Sequence, residues 1–343
     1  MHCVNFESQL DVNQKGIWRF RRFFNTEVAA DFRLTLREGR TPLEPVVCGA
    51  QRIWLKREDL NPHGSHKDRS LAYQVSLASQ RGAKELVISS SGNAAIAAAA
   101  YCRLAKIKLW AFLAPSIPRQ KFLAVKELGA TIVLSRRAMR LANYLAQKKK
   151  LENLRPSIND RSIEGFQTLG FELFEQAEKI LPIFTYVTSG SSLIGLAQAF
   201  QKLKTAGCLE VSPRLNAVHS QALVAAGPKA FDESGTSLAG TGGIRRTRRA
   251  GQIAAALKFS GGRSWLISET DILKAARFLS QRNIKTSFEG CASLAAVWAS
   301  GVPEAICILT GRFYEVVKIS AADKLGISEA ADLPDIDKII FHA

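Results

Sequence analysis

The stretch LKREDLNPHGSHKDRS, residues 55–70, is the part of the sequence around which the rest is organised. It places one lysine, Lys67, directly after an Asn-Pro-x-Gly turn and at the start of an apolar run that is typical of a helix. An amine held in such a partly desolvated position can act as a nucleophile toward a carbonyl carbon. The alternative is that Ser65 and Asp68 form a capping box around a solvated Lys67. This stretch alone leaves both interpretations open.

Length and composition indicate a globular protein. The chain has 343 residues, 47% of them hydrophobic and 22% charged, which is enough for two domains or for one large α/β unit with a buried core. No apolar run is as long as a membrane span, and residues 1–11 lack the features of a secretory signal. The six cysteines are scattered without a CxxC pair, which argues against a disulfide framework or a structural zinc. We therefore expect a cytoplasmic protein that has no membrane partner.

The net charge of +17 raises the question of an anionic polymer as partner. However, the basic residues are spread along the chain, and the arginines of the glycine-rich loop at 235–251 are not interleaved with aromatic residues that could stack on bases. A basic proteome or an anionic small substrate explains the charge more simply. We expect no nucleic-acid partner.

Strand and helix patterns alternate along most of the chain. The predicted strands are residues 52–55, 85–88, 108–113, 131–134, 184–188, 215–219 and 305–309. The predicted helices are residues 69–81, 94–104, 119–128, 138–149, 164–180, 193–204, 269–282 and 290–300. This alternation predicts an α/β fold, with parallel sheets and crossover helices in two sheet-based units.

Three polar turns follow predicted strands, where ligands collect in open α/β sheets. The turn Ser189-Gly190-Ser191-Ser192 offers amides and hydroxyls for a phosphate, although many such turns are rich in small residues only because the chain reverses there. The turn SSSGN, residues 89–93, offers donors for a carboxylate, whereas Asn93 is equally suited to capping a helix. The third turn contains Thr310, whose hydroxyl could face a ring nitrogen, but as part of an isolated dipeptide it says little.

Taken in order with the lysine turn, these features resemble the pyridoxal-phosphate enzymes of the tryptophan synthase β-subunit fold, and most closely the threonine synthase family. The resemblance covers residues 16–310 and rests on GIWRF, REGRTPL, LKREDLNPHGSHKDR, SSSGNAAIAAAAY, PRQKFLAVKELGA, SIEGFQTLGFEL, FEGCASLAA and LTG. It implies two three-layer α/β domains. Residues 1–78 and 164–343 would form the larger, cofactor-phosphate-binding domain, and residues 79–163 the smaller one that carries SSSGN.

The resemblance also implies a role for each matching residue around pyridoxal 5'-phosphate. Lys67 corresponds to the lysine that forms a Schiff base with the cofactor and later transfers protons. Asn93 corresponds to the asparagine that bonds the cofactor's phenolic oxygen, and Thr310 to the residue beside the pyridine nitrogen. The residues that match the phosphate-binding loop are Ser189, Gly190, Ser191 and Ser192.

The reaction that the resemblance implies converts O-phosphohomoserine and water to threonine and phosphate. Ser91 and Gly92 match the loop that takes the substrate carboxylate. Lys121 matches a lysine that binds the substrate phosphate in relatives, although a solvated helix residue is an equal alternative. A flexible lysine at position 67 suits the proton transfers at the α- and β-carbons.

The chain departs from the family pattern mainly where the substrate phosphate would bind. The family loop often reads NPxRxEGxKT, whereas residues 159–168 read NDRSIEGFQT. Arg161, our candidate for binding the substrate phosphate, is therefore one place from the expected arginine, Ser162 occupies that position, and Gln167 replaces the lysine. In addition, His66 replaces the usual phenylalanine, and the phosphate loop has serines where glycine is usual. A zinc ribbon found in many relatives is absent, so we expect no metal.

Two other interpretations remain open. The chain could be a relative that acts on another amino acid, such as a threonine/serine dehydratase or a β-replacement enzyme. It could also be a non-catalytic descendant that binds a ligand or partner, but the presence of Lys67, Asn93 and Thr310 together argues against this. For the enzyme we expect a homodimer that acts on a small amino-acid substrate.

Overall fold

The computed structural model describes residues 3–220 and 247–342, so most of the predicted loop at 235–251 lies outside the described residues. The strands are β1 Leu43–Cys48, β2 Gln51–Lys56, β3 Glu85–Ser89, β4 Lys108–Leu113, β5 Thr131–Leu134, β6 Ile183–Tyr186, β7 Leu215–Ser220, β8 Ser264–Ile267, β9 Glu304–Ile308 and β10 Ser328–Glu329. The α-helices are α1 Val4–Glu7, α2 Lys67–Gln80, α3 Asn93–Leu104, α4 Arg119–Glu127, α5 Ala138–Lys148, α6 Arg161–Gln176, α7 Ser191–Thr205, α8 Ala250–Ser260, α9 Glu269–Ser280, α10 Phe288–Ser300 and α11 Leu333–His342. Within the described ranges, no helix combines the length and apolarity needed to cross a membrane.

The described strands form two sheets, which confirms the predicted α/β class. The larger sheet has the order β1-β2-β9-β6-β7-β8, and within it only the β1–β2 pair is antiparallel. The smaller sheet has the order β10-β5-β4-β3 and is parallel. The sequence-based division placed residues 164–343 with the larger sheet. In the structure β10 joins the smaller sheet, and α11 contacts α5 through a hydrogen bond from Tyr144 to Asp337 at 3.1 Å.

The sequence pattern predicts the central elements best. Strands β4 and β5 have the predicted bounds, because an almost uninterrupted apolar run is typical of a parallel strand buried on both faces. Helix α6 begins at Arg161, before the predicted start at 164, because the Asn159 side chain accepts a hydrogen bond from the Arg161 amide at 3.1 Å. Strand β1 was not predicted, because this edge strand has alternating exposed and half-buried residues and no apolar run.

Strand register brings the sequence motifs together. Leu55 of β2 pairs with Cys307 of β9, so the carboxyl ends of these neighbouring parallel strands lie side by side. The lysine turn follows β2, and the turn that contains Thr310 follows β9. Strand β6 is the other neighbour of β9, and the serine-rich phosphate turn follows it. Three of the predicted site segments therefore leave the same edge of the larger sheet.

A fully buried ionic cluster ties β2, α2 and α6 together. The Arg69 guanidinium donates to both carboxylate oxygens of Glu58 at 2.8 Å and to those of Glu172 at 2.9 and 3.1 Å. The Lys56 ammonium pairs with Glu172 and donates to the Thr41 carbonyl at 2.7 Å. The charges of this cluster satisfy one another, so it serves to fix the start of α2 against α6.

The sequence argued against a disulfide framework, but the structure contains a disulfide bond. Cys3 and Cys208 form a disulfide across a sequence separation of 205 residues. Phe6 of α1 packs edge-on against Phe174 of α6, and Asn5 donates to the carbonyl of residue 206, so the N-terminal segment lies beside the end of α7. Only tertiary packing makes this pair adjacent, and sequence spacing could not show it. The pair also removes the cysteine-based reason to expect a reducing compartment.

Candidate active site

Lys67 is the first residue of α2, and its ammonium lies 5.1 Å from the centroid of the Phe166 ring. Among the described residues no carboxylate lies within salt-bridge distance of this ammonium. Burial lowers the pKa of Lys67 from 10.5 to about 8, and the charge of Glu289 opposes that shift. The Lys67 amine is therefore neutral more often near neutral pH than an ordinary lysine, as a nucleophile or base requires.

The alternative capping box does not form. The hydroxyl of Ser65 accepts from the Lys67 amide at 3.2 Å, and the Asp68 amide donates to the backbone carbonyl of Ser65. The Asp68 carboxylate instead accepts from the amide of His63 at 3.0 Å and contacts its ring nitrogen at 3.1 Å. The start of α2 is therefore fixed by the preceding turn, and Lys67 is not a solvated first-turn residue.

Asn93 and Thr310 meet the lysine turn at the end of β9. The His66 amide donates to the Thr310 carbonyl at 3.1 Å, and Ser65 and Gly311 form an isolated β-bridge. A Cβ at Gly311 would lie 2.5 Å from Asn93 Nδ2, so glycine is needed for this close approach. Asn93 Oδ1 is buried and has no hydrogen-bond partner in the described part of the chain. The asparagine is therefore held at the junction with unused hydrogen-bonding capacity.

The serine-rich turn opens α7. Gly190 has a φ of 82°, a left-handed conformation that favours glycine, and Ser191 begins the helix. The Ser191 hydroxyl donates to the Pro156 carbonyl at 2.8 Å and lies 3.1 Å from the Ser189 hydroxyl. Ser192, which is also buried, follows it in the first turn. The Ser191 hydroxyl is thus committed to the protein, and the first-turn amides of α7 are the main groups that could bind an anion.

The SSSGN turn is held to the end of β4. Ser91 Oγ accepts from the Ala114 amide at 2.6 Å, and the Gly92 amide donates to Ser90 Oγ at 3.3 Å. Because Ser91 acts as an acceptor in this contact, its O–H is still able to donate to a substrate carboxylate. Gly92 precedes the first residue of α3, where helix amides also favour an anion.

Lys121 supplies a second cation. It lies on α4, and its ammonium is 4.8 Å from the centroid of the Tyr314 ring. Burial lowers the pKa of Lys121 as well, and the charge of Glu289 again opposes the shift. Lys67 and Lys121 therefore share one acidic neighbour, which indicates that the two amines lie in the same region of the protein.

The loop residues that depart from the family pattern make protein contacts. The Arg161 guanidinium pairs with Glu152 at 3.0 Å, and Glu152 is not among the predicted site residues. The hydroxyl of Ser162 donates to the carbonyl of Pro156 at 3.0 Å, and the Gln167 side chain donates to Gln198 at 2.8 Å. The structure does not bring Arg161 to Lys67 through any of these contacts.

A sequence profile of the family described as "Pyridoxal-phosphate dependent enzyme" matches residues 34–311 of the chain. This range includes all the sequence-predicted site residues. The chain belongs to this family. The expectation of pyridoxal phosphate as cofactor is therefore confirmed, and the protein is an enzyme.

The residues of this pyridoxal-phosphate enzyme fit the cofactor. Lys67 offers an unpaired amine for the aldehyde, and Asn93 has a buried polar atom without a partner in the described part of the chain. The first turn of α7 suits the phosphate, and the buried hydroxyl of Thr310 would lie beside the ring nitrogen. When bound, the cofactor withdraws electrons from the α-carbon of an amino acid. A hydroxyl beside the ring nitrogen, in place of a carboxylate, would moderate that withdrawal.

The names of the relatives of this pyridoxal-phosphate enzyme describe more than one activity. A threonine synthase of Methanosarcina acetivorans is 25% identical over 325 residues, which cover 87% of this chain and 79% of that protein. Alignments with two further threonine synthases cover only 40% and 55% of those proteins. A mitochondrial threonine dehydratase of Schizosaccharomyces pombe is 29% identical over 158 residues, 44% of this chain and 26% of that protein. A threonine deaminase of T.th. has the same fold, with a TM-score of 0.68 and 23% identity over 81% of this chain and 94% of that one.

Sequence reasoning missed Glu289. This residue lies in the first turn of α10, whose N-cap residue Ser287 donates its amide to the Gly311 carbonyl at 2.7 Å. The start of α10 is therefore fixed to the junction where Asn93 and the lysine turn meet. The motif FEGCASLAA contained the signal, because it places a carboxylate in the first turn of a helix, but no role could be given to it without the neighbouring lysines.

Proposed function

We propose that this enzyme converts O-phosphohomoserine and water to threonine and phosphate. The observation that carries the proposal is a second cation, the half-buried Lys121, whose ammonium lies 4.8 Å from the Tyr314 ring centroid. Lys121 shares the acidic neighbour Glu289 with Lys67. A substrate with a phosphate on its γ-carbon needs a cation apart from the cofactor's phosphate site, and Lys121 supplies one. The similarity to a threonine synthase over 87% of the chain supports the same reaction.

The roles of the residues follow from their positions. The neutral amine of Lys67 takes the α-proton and transfers protons at the β-carbon. Ser91 and the amides at the start of α3 orient the substrate carboxylate. Lys121 binds the phosphate that leaves from the γ-carbon, and water adds its hydroxyl at the β-carbon. The overall change consumes one water and releases one phosphate.

A second candidate is a dehydratase or β-replacement enzyme that acts on an unphosphorylated amino acid. The observation in its favour is the loop at 159–168. There Ser162 occupies the expected arginine position and bonds a backbone carbonyl, while Gln167 bonds Gln198. A substrate without a phosphate would not need those basic residues.

The deciding experiment supplies the purified holoenzyme with O-phosphohomoserine and, separately, with threonine and serine. We expect phosphate and threonine to be released in equal amounts from O-phosphohomoserine. The proposal fails if phosphate release stays at background. Formation of ammonia and a 2-oxo acid from threonine or serine would then establish the second candidate.

The proposal extends to the assembly and location of the enzyme. We propose a homodimer in the cytoplasm whose partner is a small amino-acid substrate and which binds neither nucleic acid nor membrane. The scattered basic residues support the absence of a nucleic-acid partner, and the threonine synthases among its relatives support an amino-acid substrate. Sedimentation of the holoenzyme tests the dimer against the 37.5 kDa mass of one chain. Salt-sensitive binding to a random DNA duplex would contradict the absence of a nucleic-acid partner.

A further inference from the structure

His66 has a buried side chain with no visible partner. The residue is 6% exposed, and neither ring nitrogen has a hydrogen-bond partner in the described part of the protein. Burial lowers the pKa of His66 well below 6.5, and the charge of Lys67 lowers it further, so the imidazole is neutral. A neutral imidazole has one N–H donor and one acceptor nitrogen, and leaving both unpaired inside a protein is unfavourable.

The His66 residue has contacts toward three parts of the candidate cofactor site: Lys67, the end of β9 and α7. Its ring lies edge-on to Phe166 at 5.2 Å, and the same Phe166 ring is 5.1 Å from the Lys67 ammonium. The His66 amide is bonded to Thr310. Phe166 also packs closely against Gly195 of α7, where an added Cβ would lie 2.6 Å from the Phe166 Cβ. His66 therefore lies beside the reactive lysine and the end of β9 and is linked through Phe166 to Gly195, in the N-terminal part of α7.

We propose that His66 donates its ring N–H to the phosphate group of the bound cofactor. The start of α7 is where the phosphate fits, and the Ser191 hydroxyl there already donates to the Pro156 carbonyl. The anion consequently lacks one of the donors that the sequence of the turn suggests, while His66 has a donor without an acceptor. A phosphate oxygen would satisfy the imidazole. Phenylalanine, the usual residue here in the resembling family, has no such donor.

The test uses the full-length chain freed of cofactor and titrated with pyridoxal 5'-phosphate or with pyridoxal, which lacks the phosphate. We expect His66→Phe to weaken the binding of pyridoxal phosphate about tenfold, the effect of losing one hydrogen bond to an anion. Its affinity for pyridoxal should change less than about twofold, because that ligand has no oxygen for the bond. Equal affinity of the wild type and His66→Phe for pyridoxal phosphate would overturn the proposal. An equal loss for both ligands would overturn it as well, because that loss would report on packing.

A matched pair of variants protects the test against a folding defect in His66→Phe. His66→Gln and His66→Met have side chains of similar length, and only glutamine keeps an N–H donor. We expect His66→Gln to bind pyridoxal phosphate more tightly than His66→Met, with no such difference for pyridoxal. Equal affinities of this pair for pyridoxal phosphate would contradict the proposal. The inference depends on cofactor binding and not on the substrate, so a negative phosphate-release assay would leave it standing.

Discussion

Two lysines of one sequence stretch, Lys56 and Lys67, have different surroundings: Lys56 is fully buried, whereas Lys67 is half-buried. The Lys56 ammonium has an ion pair with Glu172 and accepting oxygens on Thr41 and Gln176. The Lys67 ammonium faces the Phe166 ring and has no carboxylate within salt-bridge distance among the described residues. Burial lowers the pKa of both. The set of partners therefore distinguishes the structural lysine from the reactive one, in addition to the difference in exposure.

The same distinction separates the two cations considered for the substrate phosphate. Arg161 is paired with Glu152, as Lys56 is paired with Glu172. Lys121, like Lys67, lies against an aromatic ring, and no described carboxylate is within salt-bridge distance of it. We expect the two unpaired cations to act in chemistry and binding and the two paired cations to act in folding.

Replacement of Lys67 should give the largest effect. Lys67→Ala removes the nucleophile and proton carrier, so we expect turnover to fall at least about 10³-fold, while the cofactor remains loosely held. Steady-state product formation and the visible spectrum of the cofactor measure the two properties. Circular dichroism should show an unchanged fold. Turnover near the wild-type level in Lys67→Ala would show that Lys67 is not the reactive lysine. The contrast between a structural Lys56 and a reactive Lys67 would then be wrong.

The role of Lys56, the paired lysine, should appear in the stability of the protein. Glu172→Gln leaves the buried charge of Lys56 without its partner, so we expect the free energy of unfolding to fall by about 3–5 kcal/mol. The matched control is Glu85→Gln, which removes a partly exposed pair with Lys149 and should cost less than about 1 kcal/mol. Urea unfolding measures both. If both variants lost the same free energy of unfolding, the buried ionic cluster would stabilise the fold no more than a partly exposed ion pair does.

A pH series should distinguish the amine of Lys67 from an ordinary lysine. With a pKa of about 8, Lys67 gains most of its reactivity toward an amine reagent between pH 7 and 9, a rise of about tenfold, and then levels off. An ordinary lysine continues to gain reactivity up to its pKa of 10.5. Peptide mapping of the cofactor-free protein after brief labelling measures this. A midpoint near 10 for Lys67 would remove its distinction from other lysines.

The lowered pKa of Lys67 also predicts whether the stability of the protein rises or falls with pH. Because the folded-state pKa of Lys67 lies below 10.5, the unfolded state binds more protons between pH 8 and 10.5. In this window Lys67 makes stability rise with pH, and its contribution is lost as the pH falls through 8. The cofactor-free wild type should therefore gain stability relative to Lys67→Met between pH 8 and 10. An opposite slope in urea unfolding would contradict the shift.

The sequence predicted the parts of the molecule that depend on local pattern. The bounds of β4 and β5 followed from continuous apolar runs, and Lys67 could be identified because its turn is contiguous. The contacts that separate Lys67 from Lys56 could not be predicted, because Glu172 and Phe166 come from a helix about a hundred residues away. The disulfide and the role of Glu289 escaped prediction for the same reason. They depend on which segments pack together.

Replacement of Lys121 tests whether an unpaired cation binds the substrate. Lys121→Met keeps the apolar stem and removes the charge, so we expect the KM for O-phosphohomoserine to rise about tenfold. The value of kcat should change much less if the charge acts mainly in binding. Binding of threonine, the product without a phosphate, serves as control, because its Kd should not change. An unchanged KM for O-phosphohomoserine would place Lys121 with the solvated lysines of the surface.

Replacement of Arg161 should have the smallest effect on activity and stability. That result would show that a place near the family's arginine position does not by itself make a residue bind the substrate. The resemblance to the family places an arginine near this point, whereas the structure pairs Arg161 with Glu152 at 3.0 Å and leaves 42% of its side chain exposed. Because a half-exposed ion pair contributes little, Arg161→Ala should change stability by less than about 1 kcal/mol and KM by less than about twofold. Phosphate release from O-phosphohomoserine, measured beside Lys121→Met, gives the comparison directly. If Arg161→Ala raised KM more than Lys121→Met, the guanidinium would have to leave Glu152 when substrate binds, and partners present in the free enzyme would not predict which cations act.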